Sequence, residues 1–158
     1  MMARSPTTRP IRLVLALLLL SAACRPFSIQ TPPAMIELPD QTDYAYRAMT
    51  PDGVVLGVRV IRDAGKADVA FWTQAVTLHM QELSGYALLT TTDVTTASGL
   101  TGKELRFGHD ESGKPYAYAV RIFVQGKTLF LVEAGGTKEA MERSRATLDW
   151  AMSSFHLK

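Results

Sequence analysis

Three histidines are the first residues to weigh, because a general base or metal ligand near neutral pH is most often a histidine; they stand at His79, His109 and His156. His79 falls in an apolar helical stretch beside Trp72 and Leu83. It reads either as a ligand or base in a pocket or, more plainly, as a core histidine with satisfied ring nitrogens. No Cys, His or carboxylate accompanies it at metal-ligand spacing. His109-Asp110-Glu111 is a compact titratable trio, but Ser112-Gly113-Lys114-Pro115 carries it into a hairpin loop, so a solvated turn is the plainer reading. His156 lies near the C-terminus, where chain ends fray. Neither a metal site nor a cofactor is expected. Gly99-Leu100-Thr101-Gly102-Lys103 looks like the end of a phosphate-binding loop, but Ala97 stands where its first glycine belongs and Glu104 where its Ser/Thr belongs. A strand also follows in place of the helix N-terminus that would receive phosphates. The serines (Ser84, Ser98, Ser112, Ser144, Ser153 and Ser154) lack a G-x-S-x-G elbow. Only a triad assembled from distant residues stays open.

Aromatic side chains offer weaker hints of contact with a partner or ligand. In the segment 116–125, Tyr116, Tyr118, Val120, Ile122 and Val124 fall on one strand face, and Ala117, Ala119, Arg121, Phe123 and Gln125 on the other. Strand aromatics usually pack within the sheet, while the small alanines leave room under a helix or for a ligand. In the final helix Trp150 points ~200° from Leu148 and ~180° from Met141. It is therefore either a second packing contact or an exposed aromatic anchor of the type enriched at interface hot spots. Trp150, Tyr116, Tyr118 and His79 are the candidate contact residues, and no catalytic residue is assigned.

The elements that must position these side chains follow from apolar period and turn residues. Asp43–Met49 and Val54–Arg62 read as strands around the turn Thr50-Pro51-Asp52-Gly53. Asp68 caps a helix over about Val69–Leu83, apolar around more than half its girth and so expected to pack against more than a sheet alone. Gly85 is its left-handed cap. Strands are expected over Tyr86–Asp93, Lys103–Gly108, Tyr116–Gln125 and Lys127–Ala134, with Gly135-Gly136 breaking the last and Thr137 capping a helix to about Ser154. Met141, Leu148, Met152 and Phe155 form that helix's apolar stripe. The order β-β-α-β-β-β-β-α lacks crossover helices between its later strands, which predicts antiparallel pairing in an α+β sheet of about six strands flanked by two main helices.

Residues ahead of this domain concern export. Leu13–Leu20 is a short apolar block after Arg4, Arg9 and Arg12, and no acidic residue precedes Glu37. This is the pattern of a secretory signal peptide. A membrane-spanning helix would need ~20 apolar residues, and Arg25-Pro26 ends the block at about half that. Removal of the three arginines leaves 14 basic and 15 acidic residues, a net charge near −1. Such a balance excludes an electrostatic footprint for nucleic acid. The sole cysteine, Cys24, stands at the end of the block, so no disulfide forms within the chain. Residues 25–40 hold Pro26, Pro32, Pro33 and Pro39 without strand or helix period; they read as a stiff tether reaching up to ~3.1 Å per residue. The expected divisions are a signal peptide over 1–23, the modified cysteine and tether over 24–40, and one domain over 41–158.

Two resemblances extend this reading. Leu20-Ser21-Ala22-Ala23-Cys24 resembles a bacterial lipobox, with Leu20 one place further from the cysteine than usual. The resemblance implies cleavage before Cys24 and a membrane anchor through lipid on it. Because Arg25 rather than Asp follows, it implies an outer-membrane protein facing the periplasm. Ser21-x-Ala23 also suits ordinary cleavage after Ala23, which would give a soluble periplasmic or secreted protein. The element order, with Gly85-Tyr86, Ser98-Gly99-Leu100-Thr101-Gly102 and Ser154-Phe155, resembles the PsbP/Mog-type α/β/α sandwich over about residues 41–158. A ferredoxin-like α+β sandwich is the alternative. Members of the PsbP/Mog family mostly assist larger assemblies, so the resemblance implies a non-catalytic binding or accessory module that engages an envelope protein. A small-ligand carrier with a cleft between sheet and helix, and a hydrolase with a dispersed triad, are the other classes.

Overall fold

The computed structural model describes residues 25–39 and 42–158; Cys24 and the signal segment lie outside the described residues. Seven strands form one antiparallel sheet: β2 (Ile36–Glu37), β3 (Tyr46–Met49), β4 (Val55–Ile61), β5 (Ala87–Thr95), β6 (Thr101–Glu111), β7 (Lys114–Gln125) and β8 (Thr128–Thr137). Their spatial order is β2-β3-β4-β8-β7-β6-β5. A separate two-stranded ribbon pairs β1 (Phe27–Ser28) with β9 (His156–Leu157).

Strand alternation sorts the core into two layers. Leu56, Val58, Phe123, Phe130, Val132 and Ala134 point to one face, under α2 (Lys138–Arg143) and α3 (Arg145–Ser153). Leu105, Val120, Ile122, Leu129 and Leu131 point to the other, where α1 (Val69–Leu78) lies with its π-helical extension His79–Leu83. The expected helix–sheet–helix sandwich is therefore present, with one strand more than the six anticipated.

Local chemistry sets the element ends. Asp68 accepts from the Phe71 N–H at 2.9 Å and starts α1. Gly85, at φ +68°, ends the helical segment in the left-handed region. A two-residue turn, Ser112-Gly113, with φ +56° and +81°, joins β6 to β7. His109, Asp110 and Glu111 thus belong to the strand, and only the two residues after them form the turn. Thr137 caps α2, accepting from the Ala140 N–H at 3.3 Å. The single helix expected there divides at Ser144, whose ψ is 1°.

Three sequence expectations are corrected. Residues 25–39 are no tether: Phe27 is 1% exposed, Met35 6%, and Pro32 is buried. Phe27 packs its ring 5.5 Å from Phe155, and Ile36–Glu37 adds the seventh strand beside β3. Apolar residues scattered among prolines carry no period, so their burial was invisible in the pattern. Gly135-Gly136 does not break β8, which runs through both. The glycines admit close neighbours instead: a Cβ on Gly135 would lie 3.2 Å from the Tyr118 ring. Finally, α1 and its π-helical extension pack on the sheet through Trp72, Val76 and Met80, with no further layer over them among the described residues. No residue of α1 is buried, and Phe71, Leu78 and Leu83 are exposed.

Candidate binding site

Small residues face one another across three neighbouring strands. Ala117 lies opposite Gly108 and Gly136, and Ala119 opposite Arg106 and Ala134. Apart from Arg106, no bulky side chain rises from these positions to meet the helices, and a cavity of about 320 Å³ opens between the sheet and α2–α3. Ala117, Ala119 and Ala134 line its sheet side, and Met141, Leu148 and Met152 its helix side. Lys138, Glu142, Arg145 and Asp149 supply charge around it, and half-buried Arg106 reaches in from β6. Exposed Leu89, at the irregularity in β5, borders the cavity on the open edge of the sheet. The volume lies within the range of small-molecule sites, which are mostly apolar with a few placed polar groups.

A buried ionic clamp ties α3 over one end. Glu104, 5% exposed, receives Arg106 Nε at 2.7 Å and Arg121 Nε at 2.6 Å. Arg106 also donates to Asp149 at 2.8 Å, and Arg121 to Ser153 Oγ at 3.0 Å. Both arginines thus bridge a sheet carboxylate to α3. Burial alone would lower the Arg106 guanidinium, but its bonds to Asp149 and Glu104 hold it above its ordinary range.

On the opposite sheet face a second carboxylate is enclosed. Glu133, also 5% exposed, accepts from Tyr44 at 2.6 Å, Tyr118 at 2.7 Å and Arg59 Nη2 at 2.7 Å. Gly57 sits directly across from Glu133, and a Cβ there would come within 2.6 Å of the Tyr44 ring. Burial and the bond to Glu133 push the Tyr44 phenol up to about 12. The Tyr118 phenol is also raised, by burial first and then by the charge of Glu133. Both oxygens of this carboxylate have donors, Tyr44 on one and Tyr118 with Arg59 on the other, so the cluster reads as structural.

The candidate contact residues do not converge. Tyr116 and Tyr118 both line the cavity, yet the Tyr118 hydroxyl and ring belong to the Glu133 side, beside Tyr86 and Phe107. Their alanine neighbours, not the tyrosines, make the open space. His79 is exposed on the helical segment of the opposite face, not covered as the apolar stripe of the sequence suggests, and takes no part in the cavity. Trp150 is 48% exposed, one residue beyond the cavity-lining Asp149. His109 Nδ1 donates to the Gly85 carbonyl at 2.8 Å, and His156 Nδ1 to the Ser154 carbonyl at 3.0 Å. A serine nucleophile needs its histidine bonded to a hydroxyl and a carboxylate, and these two are bonded to backbone. Among the described residues no cluster of His, Cys, Asp or Glu is suited to hold a metal. None of their helices is long and apolar enough to cross a membrane.

The residues that sequence reasoning left out, Arg106, Met141 and Leu148 around the cavity, come from separate elements. The visible signal was the alternation of Ala117 and Ala119 in an otherwise bulky strand.

No family model matches the chain, and no curated protein matches its sequence. Several solved structures share its fold. LpqN of Mycobacterium tuberculosis, described as involved in cell envelope biogenesis, aligns with a TM-score of 0.68 at 12% identity, covering 84% of this chain and 83% of LpqN. Cyanobacterial PsbP (CyanoP) from Synechocystis sp. PCC 6803 aligns at 0.59 and 11% identity, over 84% and 87% of the two chains. The Ran-binding protein Mog1p of Saccharomyces cerevisiae aligns at 0.57 and 12% identity, over 84% and 90%. These likenesses show the PsbP/Mog-type sandwich and set aside the ferredoxin-like alternative. At such identities they concern the fold alone.

Proposed function

We propose that this protein is a lipid-anchored, non-catalytic binding module of the cell envelope, and that its working surface is the cleft between the sheet and α2–α3. The observation that carries the reading is the cavity of about 320 Å³, apolar on both walls and bordered by charge, which the protein's own side chains leave open. Such a space accepts an apolar side chain or ligand, while Lys138, Glu142 and Arg145 orient what enters. Exposed Trp150, on the side of α3 turned away from Leu148, offers a separate aromatic anchor for a protein surface. LpqN, described as involved in cell envelope biogenesis, and the Ran-binding Mog1p supply precedents for this fold in envelope and binding roles. The lipobox-like residues ending at Cys24 support an anchor, and the arginine after it supports an outer-membrane protein facing the periplasm.

Two experiments test this. A photo-crosslinking residue at Leu89 or Met141, in cells, should capture an envelope protein that the same residue at Ala75 on α1 does not, and Ala117→Leu should abolish the capture while leaving the fold intact. Capture unaffected by Ala117→Leu would remove the cleft from the interface. Labelled fatty acid should enter the wild-type protein and not Cys24→Ser; equal labelling would end the anchor reading. The volume of the cleft also favours a second reading, a small-ligand carrier. Native mass spectrometry of protein extracted from membranes would then show a bound compound that Ala117→Leu loses.

A further inference from the structure

From the packing of the N-terminal segment we infer that the domain does not swing on a leash but is held flush against the bilayer, with the β2 edge of the sheet toward the lipid and the β5 edge, where the cleft opens at Leu89, away from it. This rests on the lipid anchor at Cys24 proposed above and adds an orientation to it.

Arg25, the residue after that cysteine, already packs on the domain. Arg25 pairs with Glu37 at 2.5 Å and lies 5.5 Å over the Tyr46 ring. The Pro26 carbonyl accepts the Lys158 N–H at 3.1 Å, and Phe27 is buried between β9 and Phe155. The Gln30 N–H donates to Ser154 Oγ at 2.8 Å. These contacts fix the segment to the last helix and strand. Cys24 is one peptide unit from Arg25, a Cα spacing of ~3.8 Å. A free segment of the same length, by contrast, would reach on the order of 50 Å.

The surface around that point suits a lipid interface. Ile36 is 69% exposed, next to the Glu37 that holds Arg25. Exposed Lys158 brings a cation to the same neighbourhood, where anionic headgroups attract it, while Arg25 is offset by Glu37. Across the sheet, six strand spacings of ~4.8 Å separate β2 from β5, so the cleft mouth faces the aqueous side, where a protein partner approaches.

The test uses the full lipidated chain in vesicles of phosphatidylethanolamine and phosphatidylglycerol. Lipid occupies Cys24, so a cysteine introduced as Ile36→Cys or Thr91→Cys is the only thiol for an environment-sensitive dye. Nitroxide-bearing lipids should quench the dye at position 36 several-fold more than at position 91. A flexible Gly/Ser insertion between Cys24 and Arg25 should level the two while fatty-acid labelling persists. Equal quenching in the parent protein, or stronger quenching at position 91, would overturn the orientation with the anchor intact. Absence of fatty-acid label and of co-sedimentation with vesicles would overturn the anchor itself, and is read independently of the dye.

Discussion

Glu133 illustrates how single residues carry this fold. Its carboxylate is enclosed by Tyr44, Tyr118 and Arg59, and Tyr44 is the donor on one of its two oxygens. Tyr44→Phe should cost about 1.5–3 kcal/mol of stability, the range for a hydrogen bond to a charged group, measured by denaturant unfolding. The same cluster dictates the alkaline limit. The Tyr44 phenol is pushed up to about 12 when folded, while an unfolded tyrosine ionises near pH ~10. In that window the unfolded chain holds fewer protons than the native one, so stability is complete below pH ~10 and falls as pH rises toward about 12. Absorbance titration at 295 nm should show Tyr44 and Tyr118 ionising above the ordinary range. Normal titration of all five tyrosines in folded protein would contradict the enclosure. Trp150 behaves otherwise. At 48% exposure, Trp150→Ala should cost only about 1 kcal/mol of stability but ~2 kcal/mol or more of partner binding if it anchors one. Recovery of the crosslinked partner undiminished by the substitution would exclude it from the interface.

Elements are joined by contacts that cross from one to the next. The N-terminal segment is the clearest case: Phe27 fills the space beside Phe155, and β1 pairs with β9. Phe27→Ala should cost about 3–5 kcal/mol, and a chain beginning at residue 42 should be markedly less stable than one beginning at Arg25. Equal unfolding midpoints for the two would show that the segment is dispensable. Helix α3 depends on Glu104 in the same way, since Arg106 and Arg121 both lead from it to the helix. Glu104→Gln leaves the buried Arg121 without its charge partner and Arg106 with Asp149 alone, a loss of about 3 kcal/mol for a buried pair. Hydrogen exchange should rise across α3 and around the cleft. Protection unchanged in α3 would mean that Leu148 and Met152 alone hold it.

At the scale of the whole molecule, the two faces of the sheet have different tasks. One face is closed by α1 and by the Glu133 cluster. The other carries both the main core and the open cleft under α2–α3. Filling that cleft is a test of function with little bearing on the fold, because Ala117 is only partly buried beside open space. Ala117→Leu should therefore leave the unfolding midpoint nearly unchanged while removing partner capture. A large loss of stability instead would show that the space is smaller or more rigid than its volume indicates.

Much was legible in the residues taken in order. Strand alternation, the caps at Asp68 and Thr137, and the turns at Gly53, Gly85 and Gly126 are set by interactions within a few residues, and the α/β/α architecture follows from their sequence of elements. The alternation of Ala117 and Ala119 with larger residues also announced an opening. Long-range contacts decided the rest. Residues 25–39 bury Phe27 and Met35 against chain more than a hundred residues away or across a sheet, and no local period records that. Gly135 and Gly136, helix-breakers and strand-breakers by propensity, sit inside β8 because the Tyr118 ring and Val54 approach them. The cleft's walls come from β6, β7, β8, α2 and α3, and only the packing of those elements, with small side chains facing one another, determines that a space remains between them.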